Sequence, residues 1–257
     1  MNISGNTILI TGGGSGIGRS LAEAFQKLGN NVIIAGRRQQ VLDETVAANP
    51  GMQAAVLDIE SLDSIRSFAD MVTEKYPKLN VVIHNAGIMR PENLLAQPGD
   101  LAIVDATLAT NLLGPIRLTS ALLPLLEKQP KATIMTVSSG LAYIPLALTP
   151  TYCATKAAIH SYSQSLRYQL KSTNIEVIEL VPPYVQTELM GSAQAADPRA
   201  MPLKEFIDEV IAILKEKPDV TEVLVERVKP LRFAELNGVE KYEAFFKTFN
   251  DAVPAPH

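Results

Sequence analysis

Thr11-Gly12-Gly13-Gly14-Ser15-Gly16-Ile17-Gly18 stands between a short apolar run, Thr7–Ile10, and a helical pattern. That junction is where an α/β protein places a nucleotide diphosphate. Glycine lacks a Cβ, so it adopts positive φ and lets the backbone approach a phosphate closely. The helix that follows offers unpaired N–H groups and the positive end of its dipole to an anion. The spacing Gly12-x-x-x-Gly16-x-Gly18 differs from the strict G-x-G-x-x-G fingerprint. Taken alone, the loop also suits a tight turn that merely packs a helix on a sheet.

The residues on either side strengthen the nucleotide reading. Strands are expected at Thr7–Thr11, Asn31–Gly36, Gln53–Leu57, Asn80–His84, Ala132–Val137 and Glu176–Val181, with Val220–Val228 as a seventh. Between them lie amphipathic stretches, of which Ile17, Leu21, Ala24, Phe25 and Leu28 are the first, closed by Gly29. Short continuous apolar strands with crossover helices predict a parallel sheet covered on both faces. Right-handed crossovers make it a doubly wound, Rossmann-type α/β fold with ligands at the carboxyl ends of the strands. Leu236–Phe249 reads as a closing helix and Val253–His257 as a frayed tail. No repeat or linker divides the chain, so one domain is expected over 1–257. Gly140–Pro150 and Gln186–Pro202 break the alternation, and both leave strands on the ligand side. Each reads as a functional loop, the sharper guess being a lid, or as a plain surface excursion.

Composition excludes several classes. The chain has 257 residues, 47% of them apolar and 19% charged, with a net charge of −4. No basic stripe suits nucleic acid or an acidic membrane. The single cysteine, Cys153, rules out an internal disulfide and fits a reducing compartment. Met1–Gly5 is not a signal peptide and no apolar stretch reaches spanning length, so a cytoplasmic protein is expected.

The chemistry gathers at Tyr152 and Lys156, which share one helix face at i, i+4 spacing. An ammonium beside a phenol favours the phenolate and lowers the pKa toward the working pH, which suits a tyrosine general acid/base. The plain alternative is a Tyr/Lys pair on a solvated face. Ser139 tips the balance, because it ends the fifth strand on the edge where the glycine loop lies. Its hydroxyl can hold a substrate oxygen beside the phenol. Ser138 has the opposite strand parity and is read as structural.

These residues resemble the short-chain dehydrogenases/reductases along nearly the whole chain. Thr11–Gly18 matches the family's T-G-x-x-x-G-x-G loop, Asn85-Ala86-Gly87 its N-A-G segment, and Ser139, Tyr152 and Lys156 its S…Y-x-x-x-K signature. The stretches VSSGLAYIP, YCATKAAIHSYSQSLR and VIELVPPYVQTEL are most similar to the DltE-like oxidoreductase branch. The resemblance implies an NAD(P)-dependent oxidoreductase with a cofactor half over roughly 1–137 and a catalytic half over roughly 138–257. It implies that Tyr152 is the acid/base, Lys156 holds the nicotinamide ribose, Ser139 orients the substrate oxygen, and Asn111 holds a water linked to Lys156. It also implies cofactor contacts at Gly12, Gly14, Ser15, Gly16, Ile17, Gly18, Asp58, Ile59, Asn85, Ala86, Gly87, Pro182, Val185 and Thr187. Asp58 could instead cap the helix starting near Ser61.

Gly36 stands where NAD-using relatives carry Asp, and Arg37 and Arg38 follow, so NADP(H) is favoured over NAD(H). Candidate pocket walls are Met89, Leu141, Tyr143, Tyr184 and Met190, which suit a small or medium uncharged carbonyl or secondary alcohol. No metal is expected. His84, where many relatives have Asn, is read as a buried imidazole satisfied by backbone groups. Pro183 replaces a usual glycine, and Val223–Phe233 replaces a glycine-rich segment. Relatives pair through helices corresponding to Asp100–Leu126 and Tyr152–Lys171, which implies a homodimer or homotetramer. Ile159, Leu166 and Leu170 could serve that interface or the core. Two further readings stay open: an NADP(H)-dependent redox sensor with incidental turnover, and, disfavoured by loop spacing, a nucleotide-sugar epimerase.

Overall fold

The computed structural model describes residues 1–95, 99 and 101–253. Asp100 and residues 254–257, which belong to the expected pairing helix and tail, lie outside them. The chain alternates β1 (Thr7–Thr11), α1 (Gly16–Lys27), β2 (Asn31–Gly36), α2 (Gln39–Ala48), β3 (Gln53–Val56), α3 (Leu62–Lys75) and β4 (Val81–His84). There follow α4 (Ala102–Leu108), a π turn at Ala109–Leu113, α5 (Gly114–Leu126), β5 (Ala132–Val137) and α6 (Pro150–Gln169). β6 (Ile175–Val181), α7 (Ser192–Ala195), α8 (Leu203–Glu216), β7 (Glu222–Leu224), α9 (Lys229–Arg232) and α10 (Val239–Asp251) complete it. The seven strands form one parallel sheet in the order β3-β2-β1-β4-β5-β6-β7. The order reverses at β1 and β4, and that switch point opens a crevice at the strand ends.

Alternation within each strand builds two cores. Ile8 and Ile10 of β1 face α1 and α8 with Phe25, Phe206 and Val210, whereas Leu9 faces α3 and α5 with Phe68, Leu118 and Leu122. Burying such side chains on both faces stabilises each by about 1.5–3 kcal/mol. Leu166 and Leu170 belong to the second core and Ile159 is buried, so these three serve packing within the chain.

Three expected elements differ from the sequence reading. The last strand is three residues long, because Val225 turns the chain into a 3₁₀ turn at Glu226–Val228 whose first N–H donates to Glu209 Oε1 at 2.6 Å. The long helix before β5 is interrupted at Ala109–Leu113. Pro115 has no N–H to give the Asn111 carbonyl, and a π turn is the local answer. The closing helix starts after Gly238, whose φ of 91° ends the preceding 3₁₀ turn.

Candidate active site

The glycine loop is fixed to the end of β4 by one hydroxyl. Thr11 Oγ1 accepts from the Asn85 and Ala86 N–H groups at 3.1 Å each, and Asn85 Nδ2 donates back to the Thr11 carbonyl at 3.0 Å. Gly12 has φ of 66°, and a Cβ there would lie 2.9 Å from the Ala86 Cα. A Cβ on Gly18 would lie 2.4 Å from the Gly12 carbonyl oxygen. Loop and helix therefore touch through bare backbone. α1 begins at Gly16 with no side-chain cap from Ser15 and no acidic residue in its first turn. Across the cleft, only Thr187 comes within 4 Å of a Cβ built on Gly16. An uncapped helix N-terminus behind a glycine cradle fits a pyrophosphate.

At the end of β2, Arg37 and Arg38 are exposed, and Arg38 stands at the N-cap of α2. Arg37 pairs with Glu60 at 2.7 Å, and Thr110 Oγ1 donates to the same Glu60 oxygen. Asp58 Oδ1 accepts from the Glu60 N–H at 3.1 Å. The cap of α3 is Ser61, which accepts from the Ser64 N–H, so Asp58 does not fill that role. The Ile59 side chain is buried in the second core. Gly87 lies beside Asn111, whose side chain bonds the backbone of Ile88 in both directions at 2.9 Å. Asn111 Nδ2 also reaches Thr155 Oγ1 on α6 at 3.3 Å.

Tyr152, Lys156 and Ser139 are all buried at the head of α6 and the end of β5. Lys156 Nζ donates to the Val137 carbonyl at 2.7 Å and lies 5.5 Å from the centroid of the Tyr152 ring. Burial lowers the Lys156 pKa to about 8, while the charge of Glu179 works to raise it. The Tyr152 phenol is pushed up from its ordinary value by burial, with a hydrogen bond from Ser139 opposing. That direction differs from the lowering expected of a neighbouring ammonium. Desolvation of the phenolate wins here, with Lys156 turned to a carbonyl.

Met89, Leu146 and Cys153 are buried around Tyr152, with Leu141, Leu148, Met190, Phe249 and Val253 packed against them. Two expected pocket walls stand apart from this group. Tyr143 belongs to the first core, and its hydroxyl lies 2.9 Å from His160 Nδ1 and 3.4 Å from Glu179. Tyr184 is 45% exposed and donates to Asp197.

Val185 pairs with Met201, which closes the loop expected as a lid. Gln194 ties that loop from inside, donating to the Val185 carbonyl at 2.8 Å and to Thr187 Oγ1 at 3.1 Å. The Pro182 carbonyl accepts from the Gly140 N–H. His84 finds a side chain rather than the expected backbone. Its Nε2 meets Thr119 Oγ1 at 2.8 Å, Nδ1 has no partner among the described residues, and burial lowers its pKa to about 4.

Sequence reasoning missed four acidic or imidazole side chains. Glu60 holds Arg37. Glu92 accepts from Thr151 at the start of α6. Glu179 and His160 bond one another beneath Lys156. No spacing rule marks such lone residues, because their partners are distant in sequence.

Known proteins agree with this architecture. A family model described as short chain dehydrogenase matches residues 6–198. The chain is 39% identical over 238 residues to the uncharacterized oxidoreductase DltE of Bacillus subtilis, covering 91% of this chain and 93% of that one. A short chain dehydrogenase from Burkholderia cenocepacia in complex with NADP superposes with a TM-score of 0.78 at 22% identity, each chain covered fully. A short chain dehydrogenase/reductase from Burkholderia phymatum in complex with NAD gives 0.77 at 18% identity, covering 100% and 99%. With well over half the chain inside the family model, this protein belongs to the short-chain dehydrogenase/reductase family of nicotinamide-dependent oxidoreductases.

Proposed function

We propose that the protein is an NADP(H)-dependent reductase of small or medium uncharged carbonyl compounds, working in reverse as a secondary-alcohol dehydrogenase. One observation carries the reading. A buried phenol beside Ser139 packs in an apolar cluster at the same sheet edge as an uncapped helix N-terminus behind a glycine cradle.

Gly12, Gly14, Ser15, Gly16, Ile17 and Gly18 would hold the pyrophosphate, with Asp58 and the Ile59 backbone at the adenine. Asn85, Ala86 and Gly87 would line the middle of the cleft, and Pro182, Val185 and Thr187 the nicotinamide end. Bound NADPH supplies hydride from its nicotinamide ring. Ser139 donates a hydrogen bond to the substrate oxygen, and Tyr152 gives that oxygen its proton as negative charge develops. In oxidation Tyr152 takes the proton back. Lys156 turns its ammonium to the nicotinamide ribose and favours the phenolate. Asn111, braced between Ile88 and Thr155, would hold a water linked to Lys156. Met89, Leu141 and Met190 exclude water and select apolar substituents. Arg37 and Arg38, with Gly36 leaving room, favour a 2′-phosphate.

The low charge and the absence of a helix long enough to cross a membrane among the described residues support a cytoplasmic enzyme without nucleic-acid partners. A homodimer or homotetramer is part of the proposal, and a monomeric mass in solution would contradict it. The test is oxidation of NADPH and NADH over a panel of ketones, aldehydes and quinones with Tyr152→Phe alongside. Turnover with NADPH that vanishes in the variant supports the reading. Tight NADPH binding without turnover on any carbonyl favours the redox-sensing alternative.

A further inference from the structure

Beneath the candidate catalytic residues lies a buried polar layer. Strand register sets Thr136 of β5, Glu179 of β6 and Glu222 of β7 side by side. Glu179 is fully buried, in the apolar run Ile175–Val181. A carboxylate removed from water is costly unless hydrogen-bonded, so its partners explain its presence. Ser138 Oγ donates to Glu179 Oε1 at 2.5 Å, the Tyr143 hydroxyl reaches the same oxygen at 3.4 Å, and His160 Nδ1 meets Oε2 at 2.8 Å. His160, Glu179 and Glu222 offer ligand atoms within 4.8 Å of one another, as a metal would require. Arg232 engages both oxygens of Glu222, at 2.8 and 3.0 Å, and lies over the Tyr143 ring at 4.6 Å. The cluster is thus a satisfied ion and hydrogen-bond network and not a metal seat.

The three partners of Glu179 sit on the three segments that deliver the chemistry. Ser138 immediately precedes Ser139. Tyr143 closes the turn that begins at Gly140 and carries Leu141, and Ser139 caps that turn by accepting from the Leu141 N–H. His160 lies one helical turn beyond Lys156 on α6, on the same face. We propose that Glu179 is a positioning residue for the reaction, holding the Ser139 strand end in register with the Tyr152 and Lys156 face of α6 and placing negative charge beneath Lys156. The proposal rests on the reductase reading for its catalytic consequence.

The electrostatic part follows from the groups around the network. From α6 these are Tyr152, Cys153, His160 and Arg167, from the turn Tyr143, from β7 Glu222, and from α9 Arg232. Arg232 and Glu222 neutralise each other, which leaves Glu179 as the carboxylate that Lys156 feels. Removing its charge makes the buried ammonium easier to deprotonate.

The test is Glu179→Gln, which keeps size and shape. NADPH binding is followed by nucleotide fluorescence from about pH 6 to 10, alongside kcat, KM and the melting temperature. The expected result is a folded variant whose kcat falls about tenfold or more with KM for the carbonyl little changed. The alkaline midpoint of NADPH binding is also expected to move down by about one pH unit. A folded variant with wild-type kcat and midpoint overturns the proposal. If Glu179→Gln does not fold, Ser138→Ala removes one of the three bonds while leaving Ser139, and an unchanged kcat in that variant overturns it. If the wild type reduces no carbonyl, the reductase reading fails on its own. The binding midpoint still decides for Glu179, a shift supporting its role beneath Lys156 and no shift overturning it.

Discussion

Glu92 offers a sharp test of how α6 is held. α6 begins at Pro150, and its N-cap residue Thr149 makes no side-chain cap bond. The cap comes from the loop after β4. Glu92, 7% exposed, accepts from the Thr151 N–H at 3.0 Å through one oxygen and from the Thr151 hydroxyl at 2.7 Å through the other. Its own N–H donates to the Leu148 carbonyl at 2.9 Å. Glu92→Ala removes a cap worth about 1 kcal/mol and a negative charge at a positive helix end worth about 0.3–1 kcal/mol. It also takes the partner from the half-buried Thr151 hydroxyl, at about 0.5–1.5 kcal/mol. Shared geometry makes these less than additive, so about 2–3 kcal/mol is expected in all. For a chain of this size that is a fall in Tm of about 5–12 °C. Glu92→Gln keeps an acceptor for the Thr151 N–H and is expected to cost about 1 kcal/mol. Because Tyr152 follows Thr151, kcat should fall in the same order, and amide exchange over 150–154 should speed up. Urea unfolding of both variants decides the matter. If Glu92→Ala lies within about 0.5 kcal/mol of the wild type, the remote-cap account is wrong.

Lys156 gives opposite pH signs for activity and stability. Its pKa is lowered from 10.5 to about 8, so the ammonium that the reaction uses is lost as pH rises through about 8, and turnover should fall there. Between about 8 and 10.5 the unfolded chain binds more protons at this site than the folded one, so its contribution to stability rises over that window. Rate and melting profiles against pH should therefore diverge, and parallel profiles would exclude Lys156 as the group responsible. Arg37→Ser should weaken NADPH relative to NADH by about tenfold, the loss of one charge-assisted bond. Glu60→Gln should shift the ratio the other way, because it frees the Arg37 guanidinium, and equilibrium binding of both nucleotides measures each. Asn250 of α10 accepts from the Ala147 N–H at 2.6 Å and donates to the Pro145 carbonyl at 3.1 Å. Asn250→Ala should loosen Phe249 from the Tyr152 cluster and raise KM for the carbonyl several-fold, at a local cost of about 1 kcal/mol.

Position in the chain explains which features were legible in the sequence. The glycine loop, the alternating apolar strands and the Tyr152/Lys156 spacing are local patterns, and local patterns survive without coordinates. Val220–Val228 reads as one strand because Val220, Val223, Leu224, Val225 and Val228 recur across it, while only Glu222–Leu224 pairs with β6. The break at Ala109–Leu113 has one local sign, Pro115, whose missing N–H is masked by the continuing apolar period. Tyr143 reads as a pocket wall because an aromatic residue beyond a strand end often is one. Its direction is set by Glu179, 36 residues later, and by His160, 17 residues later. Glu179 itself is the hardest case. In the run IEVIELV it occupies a position where an apolar side chain would make an ordinary buried strand. Its charge is tolerable only because three polar side chains from separate segments converge on it. A carboxylate needing three such partners is poorly suited as packing filler, since an apolar residue of similar volume would avoid the desolvation cost. Its place beneath Lys156 and next to Ser138 gives the cost a chemical return, and this is why the reading of the site extends one layer below Tyr152.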